Sequence, residues 1–162
     1  MAEQAGMSFA TIYKHFGDKE NLLFSFIDDW LLELHYEVEL GLKGLDSVRE
    51  KIRKLLWCHL DYYERNPKVG RILFMTVPTH TWMQTNTFAY REFVEVLVEI
   101  IKSGQHAKVI RNDLPILTAL DFLVGALVRT FVMWQYRGCT YKLVDQFEPL
   151  FGLVWSGVGS NE

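Results

Sequence analysis

Apolar residues in this chain recur at intervals of three and four, and nowhere do they alternate convincingly with polar ones. Leu23, Phe26, Ile27, Trp30, Leu31, Leu34 and Val38 make one such series; Val48, Ile52, Leu55, Leu56, His59, Leu60 and Tyr63 make a second. Phe93, Leu97, Ile100 and Ile101 make a third, and Val144, Phe147, Leu150, Phe151, Val154 and Trp155 a fourth. At 3.6 residues per turn this spacing lays side chains along one helix face, whereas a half-buried strand needs a period of two. Only 4 prolines interrupt the 162 residues, so long helices are permitted. The fold class predicted is all-α: an N-terminal, partial helix-turn-helix followed by a helical bundle.

Capping and breaking residues set the expected boundaries. Asp18 caps a connecting helix over 18–40, which Gly41 and Gly44 end. A helix from Asp46 or Ser47 stops at Asn66-Pro67, since the residue before proline avoids the helical region. A short helix over 68–76, a loop over 77–87 and a helix over 88–103 with Gly104 as its stop come next. Asp113 is expected to cap a helix reaching about Arg137, and the last helix, 141–156, to end before Gly157.

The opening stretch, "AGMSFATIYKHFGDKENLL", has a different rhythm. Gly6 supplies the left-handed turn that glycine adopts cheaply, Ser8 is an N-cap, and Gly17 closes a helix of barely two turns. Two short helices joined by a glycine turn make a helix-turn-helix, whose second helix enters the DNA major groove. Ile12 and Phe16 face inward and leave Phe9, Ala10, Tyr13, Lys14 and His15 outside. Tyr13, Thr11 and Lys19 can bond phosphate oxygens; Lys14 and His15 can reach base edges; Phe9 or Ala10 can touch a thymine methyl. Charge gives no help, because Lys14 and Lys19 face Glu3, Asp18 and Glu20 and the chain carries a net −3. By spacing alone, a helical hairpin with surface aromatics fits equally well.

The ordered run Ala5-Gly6-Met7-Ser8-x-x-Thr11-Ile12-Tyr13-x-His15-Phe16-x-x-Lys19-Glu20-x-Leu22 closely resembles the helix-turn-helix of the TetR family of transcriptional regulators. The resemblance implies a homodimeric DNA-binding repressor whose helical body binds a small molecule. It implies that Ser8, Thr11, Tyr13 and Lys19 contact the DNA backbone and that Phe9, Ala10, Lys14 and His15 read sequence. A two-fold protein implies a near-palindromic operator. The family places a further helix and a basic arm before this motif, so the expectation is a chain lacking the first helix of its DNA-binding domain, with a loose reading head. The competing expectation is a ligand-binding helical dimer that no longer binds DNA. The domains expected are 1–20, continuing into the connecting helix, and 41–162 for ligand binding and dimerisation.

In the body, aromatics are abundant, at 14% of residues. Trp57, His59, Tyr63, Phe74, Trp82 and Phe93 come from elements that could surround one ligand-sized space, with His59 and Tyr63, four apart, as its polar anchor. Each could equally fill the core. The stretch Ile116–Trp134 is apolar nearly all round and Tyr141–Trp155 nearly so, more than a monomer of this size buries. Leu120, Leu127, Phe131, Phe147, Phe151 and Trp155 are therefore expected to meet a second copy across a two-fold axis. Asp121 and Arg129 argue against a membrane span, each costing about 2.5–3.5 kcal/mol at a bilayer centre.

Enzymatic readings fail on chemistry. The sequence has no glycine-rich phosphate loop, no Cys/His metal spacing and no nucleophile–base pair, so no catalytic residue, cofactor or metal is expected. Cys58 and Cys139 are read as two buried thiols in a reducing, cytoplasmic compartment.

Overall fold

A computed structural model gives the architecture; the structure describes residues 17–78, 81 and 88–160. In chain order the helices are α1 (Lys19–Leu42), α2 (Val48–Arg65), α3 (Pro67–Arg71), α4 (Phe88–His106), α5 (Ile116–Tyr136) and α6 (Phe147–Val158). A single π-helical turn, Ile72–Thr76, extends α3, and a 3₁₀ turn, Leu143–Gln146, leads into α6. Among the described residues the β structure is confined to an isolated bridge between Ile110 and Gly159. The chain is all-α.

The caps read at Asp18 and Ser47 hold, whereas Ser8 lies outside the described residues. Asp18 Oδ1 accepts from Asn21 N–H at 2.8 Å and Ser47 Oγ from Glu50 N–H at 3.4 Å, each satisfying an orphan donor of the first turn. Asn66 ends α2, its N–H donating to Tyr62 O, and Pro67 opens α3 where proline costs no hydrogen bond. Asp113 departs from expectation. Its carboxylate is engaged by the Arg111 guanidinium, and Pro115 stands at the start of α5.

Two glycines read as stops lie inside helices. A Cβ on Gly41 would come within 2.7 Å of Lys54 Cε and 3.2 Å of Cys58 Sγ; one on Gly104 would come within 2.6 Å of Ile110 Cδ1 and 2.9 Å of Val48 Cγ1. Both are sites of close approach, and the helices run on through them to Leu42 and His106.

Helix α2 is the hub. Its inward side, from Val48 to Tyr63, is buried and packs on α1, α4, α5 and α6 in turn. Cys58 belongs to that core, but Cys139 is exposed in the turn after α5, so the pair are not both buried.

Candidate functional site

The reading head falls largely outside the described residues. Ser8, Phe9, Ala10, Thr11, Tyr13, Lys14 and His15 lie there, and so does Trp82 of the expected ligand site. Lys19 is described. It is the first residue of α1 and is exposed, directly after the Asp18 cap.

Behind it, α1 is tied to α2 by polar contacts as well as by Ile27, Leu34 and Val38. The Tyr62 hydroxyl lies 3.0 Å from both Trp30 O and Glu33 Oε2, and Arg65 bonds Glu37 of α1 at 2.6 Å and Asp61 at 2.9 Å. Burial and the neighbouring Glu33 carboxylate push the Tyr62 pKa up, so the hydroxyl keeps its proton and donates.

The next residue, Tyr63, turns to the other side of α2 and enters an aromatic cluster. Its ring lies 5.2 Å from Phe74 and 5.5 Å from Phe131, and Phe74 and Phe131 are 5.7 Å apart, mostly in edge-on geometry. His59, one turn earlier, lies 6.3 Å from Tyr63 and 4.9 Å from Phe93 on α4. Four of the six expected ligand residues thus converge: His59, Tyr63, Phe74 and Phe93. Phe131, which the sequence assigned to an interchain contact, closes the group. Gly70 makes room for it, because a side chain there would overlap the Phe131 ring.

Two polar groups sit inside this apolar group. His59 is buried, and burial pushes its pKa down to about 4, so the ring is neutral. Its Nδ1 is 2.8 Å from Leu55 O, which can only accept. The proton is therefore on Nδ1, and Nε2 presents a bare lone pair. Burial pushes the Tyr63 hydroxyl pKa up, keeping it protonated. Among the described residues neither His59 Nε2 nor the Tyr63 hydroxyl has a hydrogen-bond partner.

Trp57 does not join them. Two residues from His59 places it about 200° around the helix, and it emerges 37% exposed, with Lys54 Nζ 4.4 Å from its ring centroid. Its neighbours are Gly41, Arg53 and Phe147, along an open groove on the opposite side of α2.

The residues expected at an interchain contact are also turned inward. Leu120, Leu127, Phe131, Phe147 and Phe151 are buried within the chain and Trp155 is half-buried. Arg49 and Arg53 stack over Phe147, Phe151 and Trp155, which covers the α6 side of this row with cations. The exposed apolar residues of the two helices include Leu117 at 67%, Phe122 at 46% and Leu153 at 73%, with Tyr136 at the end of α5. Gly125 and Gly152 open onto the same exterior with nothing within 4 Å of a would-be Cβ. The reason is phase. The inward row of α5 is Leu120-Leu123-Leu127-Phe131-Trp134, and the open side begins one residue off it. Among the described residues α5 is the helix long and apolar enough to cross a membrane, but that inward row is part of the core.

Comparison with known proteins matches this chain at both ends. Residues 28–157 match the family described as YsiA-like protein, C-terminal region, and residues 1–26 match bacterial regulatory proteins, tetR family. The fatty acid metabolism regulator protein of Bacillus subtilis is 22% identical over 160 residues, covering 98% of this chain and 82% of that protein. The crystal structure of FadR from Bacillus subtilis in complex with stearoyl-CoA superposes with a TM-score of 0.86 at 21% identity, over 96% of this chain and 85% of that one. The fatty acid degradation regulator FadR from Bacillus halodurans superposes at 0.84, with 20% identity, over 96% and 82%.

Proposed function

This chain belongs to the TetR family of bacterial regulatory proteins, ligand-responsive transcription regulators and not enzymes, and we propose that it is a cytoplasmic repressor whose effector is a long-chain acyl thioester of coenzyme A. The observation that carries the effector class is the buried cluster of His59, Tyr63, Phe74, Phe93 and Phe131, between α2, the π turn, α4 and α5. It is built almost wholly of apolar side chains, which suit an alkyl chain that parts them. The two FadR proteins, with folds superposing at 0.84 and 0.86, support it, one of them having been crystallised with stearoyl-CoA.

In this reading residues 1–20 are the reading head and 41–162 the sensing and dimerising body. Ser8, Thr11, Tyr13 and Lys19 hold phosphates; Phe9, Ala10, Lys14 and His15 read bases. The protein acts as a homodimer on a near-palindrome, its copies meeting through the open side of α5 and α6 at Leu117, Phe122 and Leu153. Tyr62 and Tyr63 link sensor to reader. Tyr63 lies in the cluster, its ring 5.5 Å from Tyr62, and Tyr62 holds α1 at Trp30 and Glu33. An acyl chain that displaces Tyr63 therefore moves the attachment of α1.

The test is a gel shift on DNA upstream of the chain's own gene, with and without stearoyl-CoA. Tenfold weaker DNA binding requires the effector to favour the released conformation by about 1.4 kcal/mol. Tyr62→Phe should bind stearoyl-CoA as the unaltered protein does and yet show a smaller release. Stearoyl-CoA that binds without weakening the DNA complex would refute the mechanism.

A further inference from the structure

The chemistry of the cluster specifies more than an alkyl chain. Among the described residues His59 Nε2 is a buried acceptor without a donor, and the Tyr63 hydroxyl, one turn along the same face, is a buried donor without an acceptor. A buried polar group left unpaired costs roughly 1–3 kcal/mol, and the described rings around these two offer neither a partner. A hydrogen bond between them would remove both costs, and the structure has none. Whatever enters the cluster and supplies the missing groups recovers that free energy.

The identity of the missing groups follows from the fixed proton on Nδ1. Nε2 requires a donor. A thioester or ketone carbonyl has none, and an ionised carboxylate has none and would also lose its hydration. An ammonium group would donate, but it would be a charge in an apolar interior without a counterion. A neutral hydroxyl donates to Nε2 and still offers oxygen lone pairs to Tyr63.

We propose that the aromatic cluster is a binding site for apolar molecules that carry a hydroxyl group, with His59 Nε2 as the acceptor that selects for it. The proposal rests on the cluster being the effector site and adds a preference that a saturated acyl chain does not meet. His59 is a specificity residue in this scheme, and Tyr63 supports it by donating to the same oxygen.

The probe is a matched pair, decan-1-ol and decyl methyl ether, titrated calorimetrically into the full chain. The ether keeps the oxygen acceptor and loses the donor. The alcohol should bind about tenfold more tightly, and His59→Phe should bring the two ligands to equal affinity. On the unaltered protein, ¹⁵N spectra of the imidazole should show the Nδ1–H tautomer. The alcohol should move the Nε2 resonance and the ether should leave it in place, a readout that does not depend on the variant folding. Equal binding of the pair, binding of neither, a preference that survives His59→Phe, or an Nε2–H tautomer would each overturn the proposal. A parallel titration with stearoyl-CoA separates the two readings. Thioester binding without an alcohol preference removes the hydroxyl selection alone; an alcohol preference without thioester binding removes the acyl-CoA effector alone.

Discussion

Both sides of α5 carry large apolar side chains, and these have opposite fates. Inward, Leu120, Leu123, Leu127, Phe131 and Trp134 are buried in the core that α5 forms with α2, α3, the π turn, α4 and α6. Outward, Leu117 and Phe122 meet solvent, Gly125 is bare about a turn beyond Phe122, and Leu153 of α6 is exposed too. Phe122 lies against Gly157, where an added Cβ would be 2.9 Å from the ring, so the outer surfaces of the two helices adjoin. Hydrophobicity sets how much surface must leave the water; the phase of the helix decides whether this chain or another molecule covers it.

The largest effect expected from breaking the inner side is at Phe131. Its ring touches Tyr63, Phe74 and Trp134 and fills the space left by Gly70. Phe131→Ala should cost about 3–5 kcal/mol, the loss of a fully buried aromatic plus the cavity it leaves. Urea unfolding followed by far-ultraviolet circular dichroism measures it. A loss below about 1 kcal/mol would mean that the cluster collapses around the gap, or was open from the start.

The helices were legible in the sequence because period and caps are local properties. Asp18, Ser47 and Asn66-Pro67 act where they stand. The glycines were misread because their role is set by a partner that the sequence does not reveal. Gly41 receives Lys54, Gly104 receives Ile110 and Gly157 receives Phe122, and each lies inside a helix where a terminus was expected. In the candidate site, the i, i+4 spacing of His59 and Tyr63 is enough to set them side by side on one helix face. Trp57 was drawn in by its aromaticity, although its phase sets it on the far side of α2. The sequence points Phe131 at a second copy, whereas the structure buries it against Tyr63 and Phe74: an apolar helix shows that two surfaces need cover without showing which is the inner one. The hold of Tyr62 on α1 is not legible in the sequence, since hydroxyl contacts across 29 and 32 residues leave no periodic trace.

How dry the inner side is can be read from His59. Burial holds its pKa near 4, whereas an unfolded chain takes up the proton near 6.5. Between these values the unfolded state binds more protons than the folded one, so stability falls as pH falls. Above about pH 6.5 the group contributes no pH dependence. By pH 4 the accumulated loss is about 3 kcal/mol, and it levels off below that. His59→Phe removes the group, so the stability difference between variant and unaltered protein should widen by about that amount from pH 7.5 to pH 4. Parallel pH profiles would show that water reaches the imidazole and that the cluster is not sealed.

The smallest effect on the protomer, and the clearest separation of the two sides, is expected at Leu153. Its side chain is 73% exposed, and its neighbour Gly152 has open space where a Cβ would be. Replacing it with aspartate leaves the charge hydrated in a single chain, so protomer stability should change by no more than about 0.5 kcal/mol. Across a two-fold axis the same substitution is made twice. Each copy would bury a carboxylate against apolar surface or face its like-charged counterpart. Leu127→Asp is the matched change on the inner row, where the residue is buried. It should unfold the protomer outright, because the charge has nowhere to go. Sedimentation velocity at micromolar concentration, run beside circular dichroism, distinguishes the outcomes. A folded monomer for Leu153→Asp and an unfolded chain for Leu127→Asp are expected. A Leu153→Asp protein that still sediments as a dimer would place the contact between copies elsewhere. An unaltered protein that sediments as a monomer would mean that the outer side of α5 and α6 meets some partner other than a second copy of this chain.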